Sequence, residues 1–309
     1  MGSQRRSVAI AALIALAGSL LSGIVSPHGA WAALPQKRTA NAKTIVDLST
    51  GELRHLYRTE LRDVAFDPSQ KAVGTILWKV GQNVEAFFRN IPNTASKELI
   101  LSQRLKLGGQ IEATVTSYYN YLLLVRPDRE VARFQEDRSD SKGNPVNFQR
   151  LSEFIVTSGF AGHCFFFHPG HQDGSRFRYL GREASESHAL VIAFAQKPEV
   201  GDYLAYIGAK ELTPVLLQGL VWIDPDSYQI LRMRTDLLEP DQKDGVARQT
   251  TEIWLGEVRF DGTPQPFWLP REVRVTIEWA WAQRIFRNVH TYTDYKLFSV
   301  SSFDKIVKP

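Results

Sequence analysis

The chain has one cysteine, Cys164, in 309 residues. No intramolecular disulfide can form, so stability must come from an apolar core. Cys164 stands directly before Phe165, Phe166 and Phe167, a context that predicts a small buried hydrophobe and not a reactive thiol. Neither sign of charge dominates. Against 33 acidic residues there are 37 basic ones, a formal +4, and setting aside Arg5 and Arg6 of the amino-terminal segment leaves near +2. Nucleic-acid binders usually concentrate basic charge on one face, so no nucleic-acid partner is expected. A Gly-x-Ser-x-Gly elbow, a His-Glu-x-x-His pair and a phosphate-cradling glycine loop are all missing. No nucleophile can be matched with a base, and no enzyme activity or cofactor is expected.

What is present is enough for a packed domain: 43% of residues are hydrophobic and 23% charged, outside the disordered range. The first 32 residues read as a cleaved signal peptide. Arg5 and Arg6 form a basic start, residues 8–25 are mostly Ala, Leu, Ile and Gly, and Ala30-Trp31-Ala32 has small residues at the cleavage positions. An uncleaved membrane anchor is the rival reading, since the run is close to spanning length. The missing cleavage-point cysteine argues against a lipid anchor. Residues 33–44 read as a flexible start, and 45–309 as one domain in the periplasm.

Two helices come first. Ser49-Thr50 with Glu52 opens an apolar stripe of Leu53, Leu56, Tyr57, Leu61 and Val64, ending before Asp67-Pro68. Ile76, Leu77, Val80, Val84, Phe87 and Phe88 predict a second helix, stopping at Ile91-Pro92. The period then shifts toward two. Residues 99–107 and 111–125 read as a hairpin about Gly108-Gly109, and 131–136 as a further strand before a polar loop at 137–145. Residues 154–168 fit a short helix or a buried strand equally well. Strands at 177–182 and 188–195 follow, and then a loop at 199–214.

The most regular part begins with a β-hairpin at 218–238, turning through Asp224-Pro225-Asp226-Ser227. Strands at 248–260, 267–281 and 286–297 complete an antiparallel meander, since no helix separates them. The fold class is α+β, mainly antiparallel β.

Residues 177–183 (Phe-Arg-Tyr-Leu-Gly-Arg-Glu), 219–232 (Gly-Leu-Val-Trp-Ile-Asp-Pro-Asp-Ser-Tyr-Gln-Ile-Leu-Arg) and 292–298 (Tyr-Thr-Asp-Tyr-Lys-Leu-Phe) carry a resemblance. They look like the strand, acidic turn, strand and the closing tyrosine-rich strand of the LolA-like lipoprotein-carrier fold. The mature chain is also similar to exported proteins of soil bacteria such as acidobacteria. The resemblance implies an incomplete (half) β-barrel covered by the amino-terminal helices.

The functional signal is aromatic. Trp222, Trp254, Trp268, Trp279 and Trp281 load the meander, with Phe267, Tyr292 and Tyr295. Such residues fill a sheet-on-helix core, and a partly covered sheet would also leave an apolar concavity. Trp222, Trp254, Trp279 and Tyr292 are the expected lining of a site for an apolar ligand, a lipid or a lipoprotein acyl chain. The alternative is an envelope protein-interaction module without a cavity. His163, Cys164, His168, His171 and Asp173 have zinc-ligand chemistry, but their spacing fits no standard site and Pro169-Gly170 favours a hydrogen-bonded loop, so no metal is expected. Glu252, Glu257, Glu272 and Glu278 read as a charged solvent face.

Overall fold

The computed structural model describes residues 14–16, 43–126, 133–146, 160, 162–207, 213–243, 245–280 and 284–298. The cleavage motif at 30–32 and the segment 33–42 lie outside them, as do Trp281 and residues 154–159.

Helix α1 (Thr50–Leu56) starts on a capping box. Ser49 Oγ accepts from the Glu52 amide at 3.2 Å, and Glu52 Oε2 accepts from the Ser49 amide at 2.7 Å, which satisfies two otherwise unpaired donors. The helix is shorter than its apolar stripe predicts. Turns carry Tyr57 and Leu61 inward, and Val64 opens a strand, β2 (Val64–Phe66). Val64 is β-branched, and pairing with the later strand at 175–183 outcompetes another helical turn. Helix α2 (Val73–Asn90) agrees with expectation. Ile76, Val80, Val84 and Phe88 recur at four-residue intervals and are buried, and Pro92 prevents continuation.

The strands after α2 begin with β3 (Thr94–Lys106), β4 (Ile111–Arg126) and β5 (Arg133–Ser139). Next come β6 (Ser175–Glu183) and β7 (Leu190–Gln196). The last group is β10 (Leu217–Ile223), β11 (Ile230–Leu237), β12 (Val246–Val258), β13 (Phe267–Trp279) and β14 (Arg284–Leu297). The expected loop at 199–214 holds two short strands, β8 (Ala205–Ile207) and β9 (Thr213–Val215). Ala205 and Val215 are buried there, which gives that segment a reason to pair. Ile14–Leu16 (β1), within the stretch read as a leader, runs parallel to β8.

Eleven strands form one antiparallel sheet in the order β2-β6-β7-β10-β11-β12-β13-β14-β3-β4-β5. Its ends, β2 and β5, do not pair with each other, so it is not closed into a barrel. The sheet is more than a meander: β14 returns to pair with β3 along most of its length. The β10–β11 turn is built as its residues predict. Asp224 Oδ1 accepts from the Asp226 and Ser227 amides and from Ser227 Oγ.

Alternation along the strands divides the apolar residues between two cores. On the first face, Ile192, Val221, Met233, Ile253, Val273 and Val275 pack beneath α2 and a 3-10 helix at His163–Phe167. That 3-10 helix resolves the helix-or-strand ambiguity for its described part, with Phe165, Phe166 and Phe167 all fully buried. On the second face, Val191, Ala193, Leu220 and Trp222 pack under α1 and the 3-10 turn Ile45–Asp47. The amino-terminal helical part therefore covers both faces, α1 on one and α2 on the other. No described helix is long and apolar enough to cross a membrane.

Candidate functional site

The four residues expected to line one site fall on opposite faces. Trp222 belongs to the second core, and its cross-strand partner Arg232 is in turn opposite Trp254. The three side chains stack: the Arg232 guanidinium lies 4.3 Å from the Trp222 ring centre and 5.0 Å from that of Trp254, and Arg274 lies 4.7 Å from Trp254. This is a cation–π ladder across β10, β11, β12 and β13. Trp279 and Tyr292 pack on the first core. They are still far apart, because Trp279 pairs with Arg284 and Tyr292 lies eight residues further along β14, roughly 27 Å at strand rise.

On the first face a cleft of about 20 Å³ remains between α2 and the sheet, lined by Val84, Phe87, Cys164, Leu255 and Trp268 among others. That is room for a water molecule and not for an acyl chain. None of the four expected residues lines it. Cys164 does, and burial pushes its thiol up to about 12, so it stays protonated and unreactive at neutral pH. A larger groove of about 360 Å³ lies beside Val46, Asp47, Gln70, Arg176 and Arg178. Its arginines are already engaged. Arg176 holds both Asp47 oxygens, at 2.7 and 2.8 Å, and Arg178 donates to the Leu48 carbonyl.

The most polar buried cluster lies on the β14-β3-β4-β5 half of the first face, where Tyr292 alone of the four expected residues falls. Arg138 donates to Glu98 through Nε at 2.5 Å and Nη2 at 2.8 Å, and His290 Nδ1 lies 2.9 Å from Glu98 Oε1. All three side chains are essentially without solvent contact. Cross-strand register brings them together: Glu98 faces Tyr292, and Arg138 faces Tyr121. Burial opposes ionisation of Glu98, but the Arg138 charge and the hydrogen bonds from His290 and Arg138 outweigh it and lower the carboxyl to about 2. For His290 burial prevails and lowers its pKa, so the imidazole is neutral at pH 7 and Nδ1 donates to Glu98. Tyr121 and Tyr292 meet edge to face with ring centres 5.0 Å apart. Burial raises both phenols well above their ordinary range. The Oη atoms of Tyr121 and Tyr292 and Oγ1 of Thr94 are buried with no hydrogen-bond partner among the described residues.

The histidine segment is a hydrogen-bonded loop. His168 Nδ1 accepts from the Gly170 amide at 3.1 Å, and His171 Nδ1 lies 2.7 Å from Asp202. Among the described residues no three His, Cys, Asp or Glu side chains converge as metal ligands. Excess EDTA is therefore expected to leave the melting temperature unchanged, and a drop of several degrees in a thermal melt would assign the loop a metal. The strand carboxylates are paired with arginines, Glu252 with Arg232, Glu272 with Arg274, Glu257 with Arg259 and Glu278 with Arg248.

No protein-family model matches the chain, and no curated protein matches it.

Proposed function

We propose that this protein is a non-catalytic carrier of an apolar group, a lipid or the acyl part of a lipoprotein, acting in the periplasm after loss of its amino-terminal leader. In this reading the sheet curves as a half-barrel of the LolA-like kind, and α2 with the 163–167 turn covers the binding face in the empty state. The observation that carries it is the way α2 is held. Its buried stripe carries no polar side chain, and among the described residues its side-chain hydrogen bonds to the rest of the chain are Asn83 to the Ser227 carbonyl and Gln172 to the Leu77 carbonyl, with Lys79 over the Tyr228 ring. A cover held mainly by apolar contact can exchange that contact for an acyl chain at little net cost, since each buried methylene contributes about 0.8 kcal/mol wherever it is buried. The cleft at Phe87 and Leu255 marks where exchange would begin.

The small cleft also favours the alternative, an envelope protein-interaction module with no cavity. A series of fatty acids and lipopeptides separates the two. A carrier must gain stability by mass action, so the melting temperature should rise with ligand concentration and Trp268, at the cleft, should change its fluorescence. Leu255→Asp, at a half-buried cleft position, should abolish both responses with the fold retained. No shift with any acyl ligand would put the interaction module first.

A further inference from the structure

Resting on the carrier reading, we infer that the apolar ligand bears an uncharged hydrogen-bond acceptor, an ester or amide carbonyl, which is received by the hydroxyls of Tyr121, Tyr292 and Thr94.

The first face is chemically divided. Under α2 it is aliphatic and aromatic, whereas across β14, β3 and β4 it carries Asn288, Ser102, Glu98, Ser96, Thr94 and Tyr121, all buried. A ligand that were hydrocarbon throughout would gain nothing from that second half. Within it, the ionised groups are already matched: Arg138 spends two donors on Glu98, and neutral His290 spends Nδ1–H on the same carboxylate. These three sum to zero charge, and the Glu136 carboxylate on β5 acts on both phenols from nearby. An anionic headgroup would meet Glu98 and Glu136, and a cationic one Arg138, so an uncharged group is the one that needs no further compensation.

The three hydroxyls differ from this closed set. Tyr121, Tyr292 and Thr94 are 2%, 4% and 1% exposed, and their oxygens have no hydrogen-bond partner among the described residues. A buried hydroxyl without a partner is costly and uncommon. The phenols keep their protons, so each is a donor lacking an acceptor. Their rings are fixed by one another, by His290 stacked on Tyr292 at 6.4 Å and by Arg138 over the Tyr121 ring at 5.3 Å. Such fixed donors suit a carbonyl oxygen, whose two lone pairs can accept from both phenols.

The test uses the full chain and three probes of matched length, methyl laurate, tridecane and laurate, each displacing a bound naphthylamine dye. Methyl laurate should bind about tenfold more tightly than tridecane after correction for aqueous solubility, from two hydrogen bonds of ordinary strength, and laurate should gain no such advantage. In Tyr121→Phe/Tyr292→Phe the ester preference should vanish while tridecane binding persists, and the variant should melt no lower than the parent. Should that double variant fail to fold, Thr94→Val gives the same comparison with a smaller loss of preference. An ester preference that is absent in the parent, or that survives in the variants, overturns the inference and leaves the carrier reading standing. Failure of the dye and all three probes to bind overturns both.

Discussion

Arg138→Leu is expected to destabilise the protein by about 3–5 kcal/mol in a urea melt, because it leaves the Glu98 carboxylate buried without its main counter-charge. Removing one partner of such a pair is costly, whereas replacing the group with apolar residues of similar volume is often neutral or better. The triple variant Glu98→Leu/Arg138→Leu/His290→Phe should therefore recover most of the loss. A single variant within 1 kcal/mol of the parent would mean that water reaches the pair. The same cluster contributes to the acid limb of stability, beside Asp47, which Arg176 holds far below the usual carboxylate range. His290 has a folded-state pKa below its ordinary 6.5, so its contribution is complete above about 6.5 and declines as pH falls, when the unfolded chain takes up the proton first. Glu98 is depressed from 4.5 to about 2, so its contribution is present above 4.5 and is lost between 4.5 and 2, roughly 3 kcal/mol in all. Stability measured from pH 8 downward should fall in two stages, and His290→Asn should shrink the first, leaving the part contributed by His168, which burial also lowers. A profile flat from pH 7 to 5 would contradict the assignment of a neutral buried imidazole.

Gly219→Ala should prevent the native fold altogether. An added Cβ would lie 1.9 Å from the Arg234 carbonyl oxygen and 3.0 Å from the Thr235 Cα, both backbone atoms of the paired strand β11. No rotamer change relieves a clash with backbone, so the expected cost exceeds about 4 kcal/mol, beyond ordinary core overpacking. Gly74→Ala in α2 is the matching control. Its Cβ would meet nothing within 4 Å, and helix propensity alone should make it neutral or stabilising by up to about 1 kcal/mol. Circular dichroism and urea midpoints for the two variants should lie far apart, and comparable midpoints would show that β10 and β11 can shift.

These two positions mark what the sequence made legible and what it hid. The β10–β11 hairpin and α2 were readable because their signals are local: Asp224 to Ser227 for the turn, and Ile76, Val80, Val84 and Phe88 for the helix face. The class of fold followed from them. The site did not. Trp222 and Trp279 look alike as strand tryptophans, yet they lie on opposite faces. Register shifts at Trp222/Ile223 and Trp254/Leu255 interrupt the alternation that would have sorted them. Leu61 and Val64 also fit a helical spacing, and only the pairing partner in β6 decides that Val64 is strand. The buried Glu98 cluster joins groups 40 and 192 residues apart, and no short window of sequence holds that information. A hint was available in Glu98 itself, an acidic residue sharing its strand face with Ser96, Ile100 and Ser102.

The pairing of β14 with β3 also orders events during synthesis. β3, β4 and β5 leave the ribosome early, but the strand that covers the free edge of β3 is among the last to emerge. Until then the nascent chain presents an unpaired edge thirteen residues long, the kind of template on which neighbouring chains align. Contacts of such long sequence separation also form slowly. A stop codon just before Arg284 would therefore remove less than a tenth of the chain and yet leave two unjoined sheets, one of them with the Glu98 cluster lacking its histidine.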